Sequence, residues 1–343
     1  MENDYIETDC NPKHEPVLLD QVTEFLMLSN PETATGFKFV DCTLGLGGYS
    51  ERFLLDFPEV QVFGMDRDLC ALRRSEDRLV GFGSRFRAFH GNFGNMEDVL
   101  GASAPFDAFV FDLGVSNMQL TEAERGFSFQ HDGPLDMRMN PEGPAKSAAE
   151  VLKTLSAGEL AKIFWSYGEE RHSRFIAAKI EEHLRRGGFL ETTGELVALI
   201  RNVLPAPIQR KMGTHPARRI FQSLRVYVND ELGELERGLA AVKKLSSTEA
   251  IVIVVSYHSL EDRIVKHTFR NWEREEKRGI VLTKHPVLPE SEEVEENFKA
   301  RSAKLRAFRF CGKYGREKYK NRRVRVETGE RITGTASQSK KRG

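Results

Sequence analysis

Short apolar runs that end in a polar or small residue recur along the chain and predict the strands of one sheet. The first four runs span residues 39–41, 60–66, 86–92 and 106–112. Segments with a helical spacing of apolar residues separate them, and this alternation is typical of a parallel α/β sheet. The most apolar run, residues 251–255, predicts a fifth strand buried on both faces. Two further runs, at residues 279–282 and 304–310, predict a sixth and a seventh strand.

The α/β alternation is interrupted after residue 115. Residues 116–140 are irregular and too long for a routine connection, and several amphipathic helical patterns follow them. One long helix over residues 216–245 then leads back to the fifth strand. We therefore predict an α/β domain in two parts, an inserted helical domain between them and a basic tail. In chain order these four parts are residues 1–115, 116–215, 216–311 and 312–343.

Residues 37–66 form one strand–turn–helix–strand unit with a glycine turn, Gly45-Leu46-Gly47-Gly48. The first strand ends in Asp41 and the second in Asp66, which follows Gly47 by 66 − 47 = 19 residues. That spacing is typical of a carboxylate that binds ribose hydroxyls. The unit therefore predicts a site for an adenosine-containing cofactor at the carboxyl ends of the strands.

The glycine turn also indicates which cofactor binds. In the dinucleotide fingerprint G-x-G-x-x-G the third glycine position is here Ser50, and Asp41 lies outside that fingerprint. An acid-x-x-x-Gly-x-Gly loop resembles the first motif of S-adenosylmethionine (SAM) methyltransferases. The residues favour SAM, with NAD or another nucleotide, or a glycine turn that merely connects strand to helix, as open alternatives.

Polar residues end three of the predicted strands at corresponding places, namely Asp66, Asn92 and Asp112. Phe93 would offer an apolar face to an adenine, or else pack in the core. Asp112 would lie beside the transferred methyl, where a carboxylate can accept the N–H of an exocyclic amine, or it would contact the methionine amino group. His258, after the fifth strand, is a candidate base or phosphate contact, and equally a helix cap or a core histidine.

Charge and cysteine content narrow the class of protein. The 343 residues carry no formal net charge, but residues 312–343 hold 11 basic and 3 acidic side chains and the rest hold 40 and 48. Such a tail suits a polyanion, or serves only solubility. Basic residues in the inserted domain likewise suit a phosphate backbone, although charge runs are usually solvated faces. Four scattered cysteines predict neither a zinc site nor a disulfide frame and fit a reducing cytoplasm, and no apolar run predicts a membrane span.

Several longer motifs resemble a known family. They are HEPVLL at residues 14–19, DCTLGLGGYS at 41–50, DLGVS at 112–116, ERGFSFQHDGPLDMRM at 124–139, YGEER at 167–171, SYHSLEDRIVKHTFR at 256–270 and ARSAKLR at 300–306. In this order they resemble the bacterial ribosomal small-subunit methyltransferase H family, also called MraW. The resemblance implies a Rossmann-like SAM-dependent methyltransferase sheet with an inserted helical domain for RNA recognition. The implied reaction is methylation of the N4 amine of a cytidine in the decoding region of 16S rRNA, in the small ribosomal subunit.

The resemblance also implies which residues contact SAM, and it implies no metal. The implied contacts are Gly47, Gly48, Tyr49, Asp66, Phe93, Asp112 and Gln119. Two positions depart from the family, which usually has histidine at Tyr49 and Asn-Pro-Arg at residues 297–299. A non-catalytic RNA-binding assembly factor and a nucleotide-dependent oxidoreductase remain alternatives. The sequence leaves the oligomeric state open, with a homodimer among the alternatives.

Overall fold

A computed structural model describes residues 16–29, 31–32 and 35–312 of the chain. Seven strands within this part form one sheet in the order β3-β2-β1-β4-β5-β7-β6. The strands are β1 Lys38–Asp41, β2 Gln61–Asp66, β3 Phe86–His90, β4 Phe106–Asp112, β5 Ser246–Ser256, β6 Gly279–Val281 and β7 Lys304–Phe310. Strands β1 to β5 pair in parallel, and β7 runs antiparallel to both of its neighbours. The predicted Rossmann-like α/β sheet is therefore confirmed, with all seven predicted strands present.

Fourteen α-helices lie in the described residues. They are α1 Leu19–Met27, α2 Gly48–Asp56, α3 Leu69–Leu79, α4 Met96–Leu100, α5 Asn117–Thr121, α6 Ala148–Thr154, α7 Ala157–Gly168, α8 Ser173–Arg185, α9 Thr193–Val203, α10 Ala206–Lys211, α11 Arg218–Val228, α12 Glu231–Leu245, α13 Ser259–Arg274 and α14 Ser291–Glu296. Local sequence explains where several begin. Capping boxes, in which a Ser or Thr and a Glu satisfy each other's backbone N–H groups, open α6, α7 and α9. None of the described helices is long and apolar enough to cross a membrane.

The sheet separates two hydrophobic cores. Ile251, Ile253 and Val255 of β5 face the core that contains α1 and α2. Val252 and Val254 face the opposite core, which contains α12 and α13. The fifth strand is thus buried on both faces, as its unbroken apolar run predicts.

A third hydrophobic core belongs to the helices between β4 and β5. Helix α7 packs against α8 and α11 in this core. The irregular stretch after residue 115 contributes Phe127, Leu135, Met137 and Met139, so its apolar residues order it against the helices. Helix α11 also packs here, so the helical core extends beyond the boundary predicted at residue 215.

The prediction of one helix over residues 216–245 is wrong, because the helix is interrupted between α11 and α12. Asp230 takes a left-handed conformation with φ of 47°, and Asn229 before it is buried. The Asn229 side chain donates to the Met137 carbonyl oxygen (2.7 Å) and accepts from the Met139 N–H (2.9 Å). Asparagine and aspartate tolerate such a bend better than most residues. These hydrogen bonds hold the irregular stretch against the interruption before α12. The spacing of apolar residues cannot reveal such a contact.

Two sequence features lie outside the described residues. These are the motif residues His14 and Glu15 and all of the basic tail except Gly312. The predictions that rest on the tail stay predictions.

Candidate functional site

The glycine loop follows β1 at the carboxyl edge of the sheet and is bound to the end of β2. Gly45 and Gly47 have φ of 52° and 78°, which side-chain-bearing residues rarely adopt. A Cβ on Gly47 would lie 2.8 Å from Leu79 Cδ1, so neighbouring side chains also exclude a larger residue. The Gly45 N–H donates to Asp66 Oδ2 over 2.7 Å. The loop backbone is therefore tightly turned, and it is held by Asp66, the carboxylate that the sequence predicts to bind ribose hydroxyls.

Asp66 retains capacity for a ligand. Its Oδ2 accepts from Gly45 and its Oδ1 accepts from the Asp68 N–H at 2.8 Å, one bond to each oxygen. A carboxylate offers about four acceptor positions, so two remain for hydroxyl groups. Burial raises the pKa of Asp66 to about 6, against the two backbone donors, which favour the ionised form. The group is thus ionised at neutral pH and can accept from a ribose.

Asp41 connects the strand before the glycine loop to the helix after it. Its Oδ2 accepts from the Ser50 hydroxyl at 2.7 Å, and the backbone N–H groups of Thr43 and Ser50 also favour its ionised form. Burial raises the pKa of Asp41 to about 6. The Asp41 carboxylate thus joins the end of β1 to the first turn of α2, on either side of the loop. The glycine backbone and the remaining acceptor positions of Asp66 fit an adenosine-containing cofactor.

Gly48 and Tyr49 connect the loop to the N-terminal segment. A Cβ on Gly48 would lie 2.4 Å from Pro16 Cγ, so that segment packs directly on the loop. Tyr49 is buried, and its hydroxyl donates to the Val17 carbonyl oxygen at 2.5 Å. The Tyr49 side chain thus holds the segment in place, and a contact of its backbone with the cofactor stays a prediction.

Asp112 ends β4, between the carboxyl ends of β1 and β5. Its N–H donates to Thr43 Oγ1 at 2.6 Å, and its Oδ1 accepts from the Tyr257 hydroxyl at 2.6 Å. Burial raises the pKa of Asp112 to about 7, although Tyr257 and the nearby Lys299 both favour the ionised form. A carboxyl group with a pKa near neutrality can both accept and release a proton under physiological conditions.

Lys299 places a positive charge near Asp112. Its Nζ donates to the Val115 carbonyl oxygen at 3.1 Å, and burial lowers its pKa to about 8 against the attraction of Asp112. Sequence reasoning treated residues 297–299 as a local departure and did not assign Tyr257 or Lys299 to the site. The position of Tyr257, directly after the strand that neighbours β4, was the signal that could have found it.

Phe93 follows β3 and packs against β4 and α12. Its ring meets Phe111 edge-on at 5.4 Å, and a Cβ on Gly238 of α12 would lie 2.8 Å from its Cδ2. The side chain is only half-buried, so part of it stays open to a ligand. The neighbouring Asn92 uses its Oδ1 to accept from the Gly94 N–H at 3.1 Å. Core packing thus explains one side of the Phe93 ring, and an adenine contact stays a prediction for the other.

Gln119 forms two hydrogen bonds that the sequence does not predict. Its Nε2 donates to Asp68 Oδ2 at 2.9 Å, and its Oε1 accepts from the Ser116 N–H at 3.1 Å. The same Asp68 oxygen pairs with Arg125 Nη1 at 2.8 Å. Gln119 therefore joins α5 to the start of α3, two residues after Asp66. A direct contact of Gln119 with SAM stays a prediction.

His258 caps a helix, as one of its predicted roles requires. It is the N-cap of α13, where its Nδ1 accepts from the Glu261 N–H at 3.4 Å and its Nε2 lies 3.1 Å from Glu261 Oε1. Although burial opposes ionisation, His258 and Arg225 hold the pKa of Glu261 below its usual range. Glu231 lies beside them, and Arg225 donates to both of its oxygens at 2.7 and 2.8 Å. These contacts hold the first turn of α13 in place, two residues after Tyr257 in the chain.

Comparison with known proteins is consistent with this geometry. The chain matches the model of the MraW methylase family over residues 11–311. It is 42% identical over 311 residues to ribosomal RNA small subunit methyltransferase H of Carboxydothermus hydrogenoformans, covering 86% of this chain and 96% of that one. The protein of the same name from Rickettsia canadensis is 40% identical over 317 residues, covering 88% and 99%. A methylase family argues against the oxidoreductase alternative. The chain therefore belongs to the MraW methylase family, and S-adenosyl-L-methionine is its cofactor.

Proposed function

We propose that the chain methylates the exocyclic N4 amine of a cytidine in the decoding region of 16S rRNA, within the small ribosomal subunit. The curated relatives are named ribosomal RNA small subunit methyltransferase H, which supports rRNA as the substrate. The observation that carries the choice of an amine is Asp112, a carboxyl group with a pKa of about 7 held by Tyr257 at the end of β4. An amine must lose a proton when it is methylated, and this group can receive it.

Asp112 acts on the nucleophile in this proposal. The lone pair of an exocyclic amine is delocalised into the base, which makes the amine a weak nucleophile. When bound, the cofactor supplies a methyl group on a sulfonium, and the N–C bond forms as the S–C bond breaks. Asp112 accepts the amine N–H, which localises the lone pair, and then takes the proton and returns it to solvent. Tyr257 keeps the accepting carboxylate oriented, and Lys299 favours its ionised form.

The remaining site residues hold the cofactor. Asp66 would accept from the ribose hydroxyls, and the open part of the Phe93 ring would lie against the adenine. Gly47 and Gly48 let the loop backbone approach without an intervening Cβ. Tyr49 would contribute through its backbone, and Gln119 positions Asp68 beside Asp66.

The helical region, residues 116–215 with α11, recognises the RNA. A base inside a duplex cannot bring its amine to the methyl group, so the target is single-stranded or flipped out. Exposed basic side chains on this region suit the phosphates around such a target. They include Arg174, Arg201, Arg210, Lys211, Arg218 and Arg219.

A methyl-transfer assay with labelled cofactor tests the proposal. The substrate is the small ribosomal subunit from cells that lack the modification, and nucleoside mass spectrometry identifies the product. We expect N4-methylcytidine at one site with the wild-type protein and a strong loss with Asp112→Asn. Label in another nucleoside would refute the assigned atom. Cofactor binding without transfer to subunits, free rRNA or tRNA would support the assembly-factor alternative instead.

A further inference from the structure

Two large aromatic side chains are exposed at one end of the α7–α8 helix pair. Trp165 lies in the last turn of α7 and is 60% exposed, and Phe175 lies near the start of α8 and is 44% exposed. Only residues 169–172 join the two helices, so both rings lie within about one helical turn, ~5.4 Å, of that connection. Exposed aromatic rings of this size commonly mark a surface that another molecule covers.

Four arginines lie at, or contact, the connection between the two helices. Arg171 and Arg174 are exposed in the connection and in the first turn of α8. Arg219 of α11, also exposed, donates to the Glu169 carbonyl oxygen at 2.8 Å. Arg263 of α13 reaches the Glu169 carboxylate at 3.6 Å and is 59% exposed. Since Glu170 is buried, Glu169 is the one exposed acid in the connection, and the local charge is positive.

One ion pair connects this aromatic–arginine end, formed by Trp165, Phe175, Arg171 and Arg174, to the helix that follows Tyr257. The ion pair between Arg263 and Glu169 joins it to the first turns of α13. That helix begins two residues after Tyr257, whose hydroxyl donates to Asp112. This end of the helical region therefore contacts the helix that follows Tyr257.

We propose that Trp165 and Phe175 stack on unpaired bases that flank the methylated nucleotide, while the arginines bind the adjacent phosphates. Aromatic rings interleaved with arginines are the composition that binds single-stranded RNA, because every base has a π face and every linkage a charge. The inference rests on the proposed function for the nature of the RNA and adds where its flanking bases lie. A second copy of the chain fits less well, because a twofold axis through this end would bring arginines against arginines.

Tryptophan fluorescence offers a direct readout. The chain has two tryptophans, and Trp272 is buried with 2% exposure, so a soluble quencher or a stacking base reaches Trp165 first. A single-stranded RNA oligonucleotide of about ten mixed nucleotides, titrated into the full-length protein, is expected to quench this emission. An RNA duplex of the same length should quench it less. Trp165→Phe should remove the quenched component.

Affinity for the same oligonucleotide, measured by fluorescence anisotropy, tests the energetic contribution. Trp165→Ala and Phe175→Ala should each weaken binding by about fivefold to 100-fold, the range for one base–aromatic stack. Phe189→Ala is the matched control, because Phe189 is 68% exposed beyond the opposite end of α8, and its affinity should match wild type. All three side chains are exposed, so these variants should keep the wild-type thermal unfolding temperature.

Three results would overturn the proposal. They are an unquenched Trp165, wild-type affinity in both alanine variants, or an equal loss in Phe189→Ala. A change in molar mass by light scattering, with RNA affinity unaffected, would instead assign this end to a second copy. Methyl transfer to small subunits is measured separately with the same proteins. Transfer by wild type with unaltered KM in the variants rejects this surface alone, whereas RNA binding without any transfer rejects the proposed reaction alone.

Discussion

The carboxyl edge of the sheet and the helical region handle charge in opposite ways. At the sheet edge, Asp41 is fully buried and Asp66 and Asp112 are partly buried, and burial raises the pKa of each into the range of about 6 to 7. In the helical region, exposed charges pair across single helical turns, as Arg186 does with Glu182 at 2.7 Å. Exposed pairs of this kind contribute little to stability. The difference separates a sheet edge whose carboxyl groups can change protonation near neutral pH from a helical region whose charges face solvent.

The largest expected effect comes from Asp112→Asn, which removes the proton acceptor and keeps the shape of the side chain. We expect single-turnover methyl transfer to fall by about 10²–10⁴-fold, the usual contribution of a general base. RNA affinity should stay within about twofold of wild type, because the helical region supplies those contacts. Equal losses of transfer and RNA binding would mean that the variant is misfolded, and the comparison between the two regions would fail.

A smaller effect is expected from Asp66→Ala, measured as cofactor affinity by calorimetry. Loss of charge-assisted hydrogen bonds to the ribose should weaken binding by about 1.5–3 kcal/mol, or roughly 10–150-fold. Asp66→Asn is the milder control, because it keeps an acceptor for the Gly45 N–H. A dissociation constant equal to that of wild type would show that Asp66 only supports the loop.

The pH dependence of methyl transfer tests whether Asp112 is the group that accepts the proton. Since Asp112 has a pKa of about 7, single-turnover transfer should rise about tenfold per pH unit below that value and level off above it. Tyr257→Phe removes a donor that favours the ionised form, so the profile should move to higher pH and the neutral rate should fall a few-fold. An unshifted profile in Tyr257→Phe would assign the titration to another group.

The same pKa makes a prediction about stability with a definite sign. The folded pKa of about 7 lies above the ordinary 3.8, so the folded protein binds this proton more tightly than the unfolded chain does. The contribution of Asp112 to the free energy of unfolding is therefore complete below about pH 4 and is lost as the pH rises through 7. Chemical denaturation at several pH values should show a flatter dependence in Asp112→Asn. An identical dependence would mean that folding does not raise the pKa of Asp112.

The smallest effect should follow removal of residues 313–343, which carry 11 basic side chains. If this tail contacts phosphates, its loss should flatten the dependence of log RNA affinity on log salt concentration. Methyl transfer at saturating RNA should be unchanged, because the site lies within residues 16–312. A salt slope identical to that of the full chain would make the tail a bystander in RNA binding.

Local sequence predicted the sheet and its cofactor loop because both depend on neighbouring residues. A strand is recognisable from its own apolar run, as at residues 251–255, and the turn from the conformations that Gly45 and Gly47 can adopt. The 19-residue spacing to Asp66 lies within one strand–helix–strand unit, so its geometry follows from the unit itself. Motif resemblance then supplied the family, which the comparisons confirm.

Contacts between residues that are far apart in the sequence cannot be predicted from such local patterns. Tyr257 and Asp112 are 145 positions apart, and Lys299 and Val115 are 184 apart. The break at Asn229 depends on the backbone of residues 137 and 139, so periodicity alone predicted one continuous helix there.

By itself, the sequence determined the order of strands and helices, the glycine loop and the acids at the strand ends, because short-range sterics and apolar periodicity act within single elements. The tertiary structure decided which donors surround Asp112 and therefore what protonation state it can reach. It also decided which aromatic side chains remain in solvent, since Trp165 and Trp272 differ only in what packs around them. A pKa and an exposed surface both depend on neighbours that folding brings from elsewhere in the chain.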